Sequence, residues 1–214
     1  MRTAPPALAG ASRRAVLPLF AALLAPSAMP GLSAGRLVPG VRPALAAEPL
    51  GASGSLNGYS WKLPAGWAAP QTQSMADGRQ LVIAADPSDP DFNVFFATTP
   101  IQADYSSLGS FGNLDYVGTT FLPQCPVGLC TLERDGIAGK LLSQSAAGGG
   151  YTYEYSIQQQ GQPSRRLRTV MLVQTEEGRG KAIVTLTAQC KEERAADLAP
   201  TLKDVVDSLV QPRK

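Results

Sequence analysis

Between Gly139 and Ala188 the chain runs as alternating apolar and polar stretches broken only by short turns, and that spacing leaves no room for a helical crossover. The stretches are Gly139–Ser145, Tyr151–Gln158, Arg166–Thr175 and Lys181–Ala188. The breaks are Gly148-Gly149-Gly150, Gln160-Gly161-Gln162-Pro163 and Glu177-Gly178-Arg179-Gly180, all rich in turn-forming residues. A parallel neighbour needs a connection of a dozen or more residues, so strands joined this tightly must run antiparallel.

The same pattern extends towards the N-terminus. Tyr59-Ser60-Trp61-Lys62-Leu63 alternates and ends in Pro64-Ala65-Gly66-Trp67. Arg79–Ala84 and Phe92–Thr98 read as two further strands. Asp86-Pro87-Ser88-Asp89-Pro90-Asp91 separates them, with two prolines that cannot donate to a ladder. Two helices complete the set. One is expected from Ser110 to Leu122, capped by Ser110, with Leu114, Val117, Phe121 and Leu122 on one face. Gly118 weakens it. The other is capped by Asp197 and carries Leu198, Leu202, Val205, Val206 and Leu209. Two apolar stripes must bury on the sheet, which makes residues 59–210 a single α+β domain.

The 46 residues at the start are unlike the rest. They contain Arg2, Arg13, Arg14, Arg36 and Arg42 and no acidic residue. The remaining 14 basic residues meet all 17 acidic ones, a net charge of −3 that argues against a nucleic-acid partner. Ser12-Arg13-Arg14 precedes a short apolar run, Ala15 to Leu24, interrupted by Pro18; that is too short for a transmembrane helix. Ala44-Leu45-Ala46 is a small-x-small cleavage site. Residues 1–46 therefore read as a cleavable targeting leader, and the arginine pair fits the twin-arginine route, bacterial or thylakoid. A Sec-type leader is the alternative. Residues 47–58 are small and turn-prone, and are expected to form a short flexible arm.

Taken in order, these segments resemble the PsbP family. Tyr59-Ser60-Trp61-Lys62-Leu63-Pro64-Ala65-Gly66-Trp67 resembles that domain's opening strand and turn. Leu108-Gly109-Ser110 resembles its entry to the first helix, and Tyr151-Thr152-Tyr153-Glu154-Tyr155 its aromatic strand. Val205-Val206-Asp207-Ser208-Leu209 resembles its C-terminal helix. The resemblance implies an α-β-α sandwich, PsbP/Mog1-like, around an antiparallel β-sheet of about six strands. It also implies an extrinsic protein of the chloroplast thylakoid lumen, peripheral to the membrane. Its partner would be a thylakoid complex: photosystem II with its oxygen-evolving complex, or else photosystem I or the NDH complex. Founding members help that centre retain calcium and chloride, so possible Ca2+ association follows from the resemblance alone. The short arm and the absence of histidine favour a PsbP-like or PsbP-domain protein over the founding subunit. A bacterial periplasmic protein of the same fold is the alternative address.

A chain with no histidine lacks the commonest general base and metal ligand. Ser-His-Asp and Cys-His catalysis and His-containing zinc sites are thereby excluded, and no phosphate-cradling glycine loop is present. The expectation is a non-catalytic accessory protein with no cofactor of its own. The alternative is a thiol-dependent redox protein using Cys125 and Cys130, five positions apart around Pro126 and Gly128. That pair is also the structural disulfide candidate in an oxidising compartment. Cys190 is the odd thiol and could pair with either, since connectivity is not readable from sequence. Asp86, Asp89 and Asp91 put carboxylates in one loop and are weak candidates for a hard cation, though the EF-hand spacing fails and a solvated turn fits as well. Arg165, Arg166 and Arg168 are partner-contact candidates, with Arg166 and Arg168 on one face. The competing account is an edge strand kept soluble by charge. Tyr151, Tyr153 and Tyr155 share a strand face and fit the core better than a docking surface.

Overall fold

The computed structural model describes residues 50–120, 131–176, 178 and 180–212. The segment read as a targeting leader, Phe121, Leu122 and the loop with Cys125 and Cys130 lie outside the described residues. Seven strands form one antiparallel sheet: β3 (Gln71–Ser74), β4 (Gln80–Ala85), β5 (Asn93–Ile101), β6 (Ile137–Ala147), β7 (Gly150–Gln159), β8 (Arg165–Glu176) and β9 (Gly180–Lys191). Their spatial order is β3-β4-β5-β9-β8-β7-β6. Neighbours in sequence pair through short turns, as the spacing requires. The exception is β5, which pairs with β9 in a register that sets Phe96 opposite Leu186. This non-local seam closes the domain.

The N-terminal arm is a correction. Leu50–Leu56 form a strand (β1) that pairs antiparallel with β2 (Tyr59–Pro64), a two-stranded sheet separate from the other seven. The turn is Asn57-Gly58, with both residues at positive φ (52° and 82°). That dipeptide is the strongest short-range hairpin signal, because a two-residue turn matching strand twist needs positive φ at both positions. Leu50, Ala52 and Leu56 then pack against the core instead of waving free. β3 was also not anticipated, and for a plain reason: Gln71-Thr72-Gln73-Ser74 is exposed throughout and has no apolar alternation.

Both predicted helices exist with shifted starts. The first, α1, runs from Leu114 to Thr120. Its first turn is held by Asn113, whose Oδ1 accepts from the Tyr116 N–H at 2.8 Å. Ser110 instead closes a 3-10 turn over Leu108–Ser110, with its hydroxyl accepting from the N–H of Ser106. A short helix, α2 (Leu132–Asp135), precedes β6, with the Thr131 side chain accepting from the Arg134 N–H. The last, α3 (Ala195–Asp207), follows a 3-10 turn, so Asp197 lies inside its first turn and not at the cap. An acidic side chain there still opposes the positive end of the helix dipole.

The sheet buries both faces. On one, α3 and the β1–β2 hairpin cover Val82, Val94, Phe96, Leu172, Val184, Leu186 and Ala188. Trp61 stacks on Phe96 with centroids 4.5 Å apart and planes 10° apart. On the other, Leu108 and Val117 pack with Tyr153, Tyr155, Ile157, Leu167, Met171 and Ile183. Tyr153 and Tyr155 are buried core residues, as their strand face suggested. Among the described residues no helix is long and apolar enough to cross a membrane.

Candidate functional site: an interlocked charge network

β8 lies between β7 and β9, so it is interior, and charge on it cannot be explained as protection of an edge. The register places Arg166 opposite Ser156 and Cys190, and Arg168 opposite Glu154 and Ala188. Strand alternation turns Arg166 and Arg168 to the α3 side and Arg165 to the other.

Each arginine meets acid from this chain. Arg166 reaches Glu154 at 2.8 Å and Glu192 at 2.5 Å. Arg168 lies 3.6 Å from Glu154 and 3.7 Å from Asp207 on α3. Arg165 pairs with Asp91 at 2.5 Å, and Lys191 approaches the other Asp91 oxygen at 3.2 Å. Arg194 holds Asp89 at 2.9 Å. The two sequence candidates, the acidic loop and the arginine cluster, meet at one point, Asp91 with Arg165; Arg166 and Arg168 are held instead by Glu154, Glu192 and Asp207, and Asp89 by Arg194. The loop is further fixed by Asn93, which accepts from the Gln189 amide and donates to the Pro90 carbonyl.

The electrostatics follow. Partial burial works against the Asp91 carboxylate, but the hydrogen bond from Lys191 and the charge of Arg165 outweigh it, and its pKa lies below the usual range. The hydrogen bond to Asp91 raises Lys191 in return. Arg166 is raised chiefly by its hydrogen bond to Glu192. Each pair is part-exposed, so its separate contribution is at most about 1 kcal/mol; together they tie β7, β8, β9, α3 and the loop before β5 into one unit.

The aspartates do not fit a calcium ion. Asp86 accepts from the Ser88 N–H and hydroxyl, both at 2.7 Å, while Asp89 and Asp91 face guanidinium and ammonium groups. Ca2+ requires six to eight oxygens converging on one point. Among the described residues no group of three His, Cys, Asp or Glu side chains has metal-holding geometry.

Cys190 is a free thiol, 0% exposed, on the α3 side of β9. Burial, then the nearby Glu192 carboxylate, pushes its pKa up to about 12. A thiol without thiolate or access is inert. Peptide mapping after alkylation at pH 8 should find Cys190 unmodified in the folded protein and fully modified once it is denatured; labelling of the folded protein would refute its burial. Tyr155 is likewise pushed up to about 12 by burial, and its hydroxyl ends in a chain to Thr169 (3.1 Å) and Thr187 (2.8 Å).

Glu154, Glu192, Asp207, Lys191 and Arg194 were not anticipated as parts of this network. Even for Glu154 the turn alone misleads: counting out from Gln160–Pro163 sets it against Thr169, one residue from its observed partner Arg168.

The fold and this network define a three-layer α-β-α protein built on an antiparallel sheet, with part-exposed ion pairs linking β7, β8, β9, α3 and the loop before β5. The chain belongs to the PsbP family, whose model matches residues 53–211. Among solved structures it is similar to cyanobacterial PsbP (CyanoP) from Synechocystis sp. PCC 6803, at 20% identity and a TM-score of 0.54. That match covers 80% of this chain and 97% of the other. A looser likeness, TM-score 0.38 and 14% identity over 71% of this chain and 82% of the other, is to LpqN, involved in cell envelope biogenesis of Mycobacterium tuberculosis. No curated protein matches.

Proposed function

We propose that the chain is a non-catalytic extrinsic subunit of the photosynthetic apparatus, peripheral to the thylakoid membrane on its lumenal side and associated with photosystem II. The observation that carries this is membership of the PsbP family over residues 53–211, which takes in nearly all of the described domain. The twin-arginine leader supports a lumenal address. The interlocked charges fit a scaffold, since Arg165, Arg166 and Arg168 and the carboxylates Asp89 and Asp91 are held in ion pairs within this chain.

The test is fractionation. The protein should sediment with thylakoid membranes, come off in a high-salt wash, and co-migrate with photosystem II on native gels before the wash. A protein that stays in the soluble fraction and migrates with no membrane complex would refute the reading.

A further inference from the structure

If the arginines on β8 are engaged internally, a partner must be met elsewhere. Among the described residues one aromatic ring is exposed: Tyr116, on the first turn of α1, at 57%. It is not loosely held. Its N–H donates to Asn113, and its carbonyl accepts from the hydroxyls of Thr119 (3.2 Å) and Thr120 (2.6 Å). Its ring lies across Gly112, which sits at φ 141°, and a Cβ there would come within 2.5 Å of the ring. A residue without a side chain is thus required to seat a ring that faces solvent.

The segment leading to it is equally ordered. Tyr105 and Phe111 stack at 4.3 Å and 10°, and the Ser107–Ser110 turn stiffens the chain between them. The charge around this edge is acidic. Asp104 has no ion-pair partner among the described residues. Asp115 accepts from the Gln144 amide and has no ion-pair partner among the described residues. Lys181, the nearby base, donates its ammonium to the Ala103 carbonyl.

We propose that this edge, Tyr116 with Asp104 and Asp115, is a docking surface for a Lys- or Arg-bearing polypeptide segment. The inference rests on the extrinsic-subunit reading above. An exposed ring already fixed in place loses little freedom on binding, and such tyrosines are enriched at interface hot spots. The ring face attracts a cation, and two carboxylates without ion-pair partners among the described residues complement one. An anionic lipid surface would be repelled by the same carboxylates.

The experiment titrates the full chain onto photosystem II membranes stripped of extrinsic subunits by salt, in parallel with protein-free phosphatidylglycerol vesicles. The variants are Tyr116→Ser and Asp104→Lys. The wild type should bind the membranes and not the vesicles. Tyr116→Ser should bind at least 10-fold more weakly with an unchanged thermal midpoint, and Asp104→Lys several-fold more weakly with a reduced dependence on NaCl. If Tyr116→Ser melts early, Asp104→Lys decides, because the Asp104 side chain is exposed. Wild-type binding that neither substitution weakens overturns the surface but leaves the extrinsic-subunit reading intact. Equal binding to vesicles replaces the polypeptide partner with a membrane. No wild-type binding to either probe overturns both readings.

Discussion

Replacing Phe96 with alanine is expected to destabilise the protein by about 3–5 kcal/mol, the usual cost of emptying a fully buried aromatic site. Phe96 is 0% exposed and sits where three elements meet. Trp61 of β2 stacks on it, Tyr59 tilts against it at 5.2 Å, and Leu186 of β9 lies opposite in register. Removing the ring leaves a void beneath two large side chains that cannot both collapse into it. Against a typical domain stability of about 5–15 kcal/mol, such a loss is a large share of the whole. Urea unfolding would show it as a lower midpoint with little change in slope. A loss below about 1 kcal/mol would mean the hairpin does not dock on the sheet as described.

Phe96 also shows what the sequence could and could not convey. Its strand was legible, because Phe92–Thr98 carries Val94, Phe95 and Phe96 and is bounded by a proline turn. Its partner strand was not, because β5 pairs with β9 across about 90 residues and nothing local encodes that choice. For the same reason both readings of Arg165, Arg166 and Arg168, as partner contacts or as the charge that protects an edge strand, missed that β8 is interior and that its arginines meet acids of this chain. Which strands are interior depends on the order of pairing, while alternation reports only the faces. Faces were read well: Arg166 and Arg168 do point together, and Tyr153 and Tyr155 are buried together. The candidate site changed character for that reason. Asp91, just before β5, meets Arg165 of β8, 74 residues on in sequence, because β5 pairs with β9 and β9 with β8. The seat of Tyr116 over Gly112 depends on a backbone turn that residue types alone do not specify.

Gly54→Val is expected to lift the N-terminal hairpin from the domain at a cost of about 3 kcal/mol, the upper end for forcing extra atoms into packed space. Gly54 lies opposite Trp61 in the hairpin, and a Cβ at that position would stand 2.3 Å from the indole ring. Ordinary carbon contacts are about 3.5–4.0 Å, so one side must yield. Trp61 cannot, because it is buried and stacked on Phe96. The strand bearing Gly54 must therefore move. The expected signs are red-shifted tryptophan emission and new protease cleavage between Leu50 and Leu56, with the seven-stranded sheet retaining its circular dichroism. Adding Trp61→Ala should relieve the clash, so the double variant should lose less than the sum of the two single changes, by about 1 kcal/mol or more. Strict additivity would show that Gly54 and Trp61 do not meet. If coupling is found, Leu50–Leu56 is part of the domain wall and not a free arm. The segment is then held on the sheet and cannot reach out to a membrane complex, which shifts the burden of docking to surfaces such as the one around Tyr116.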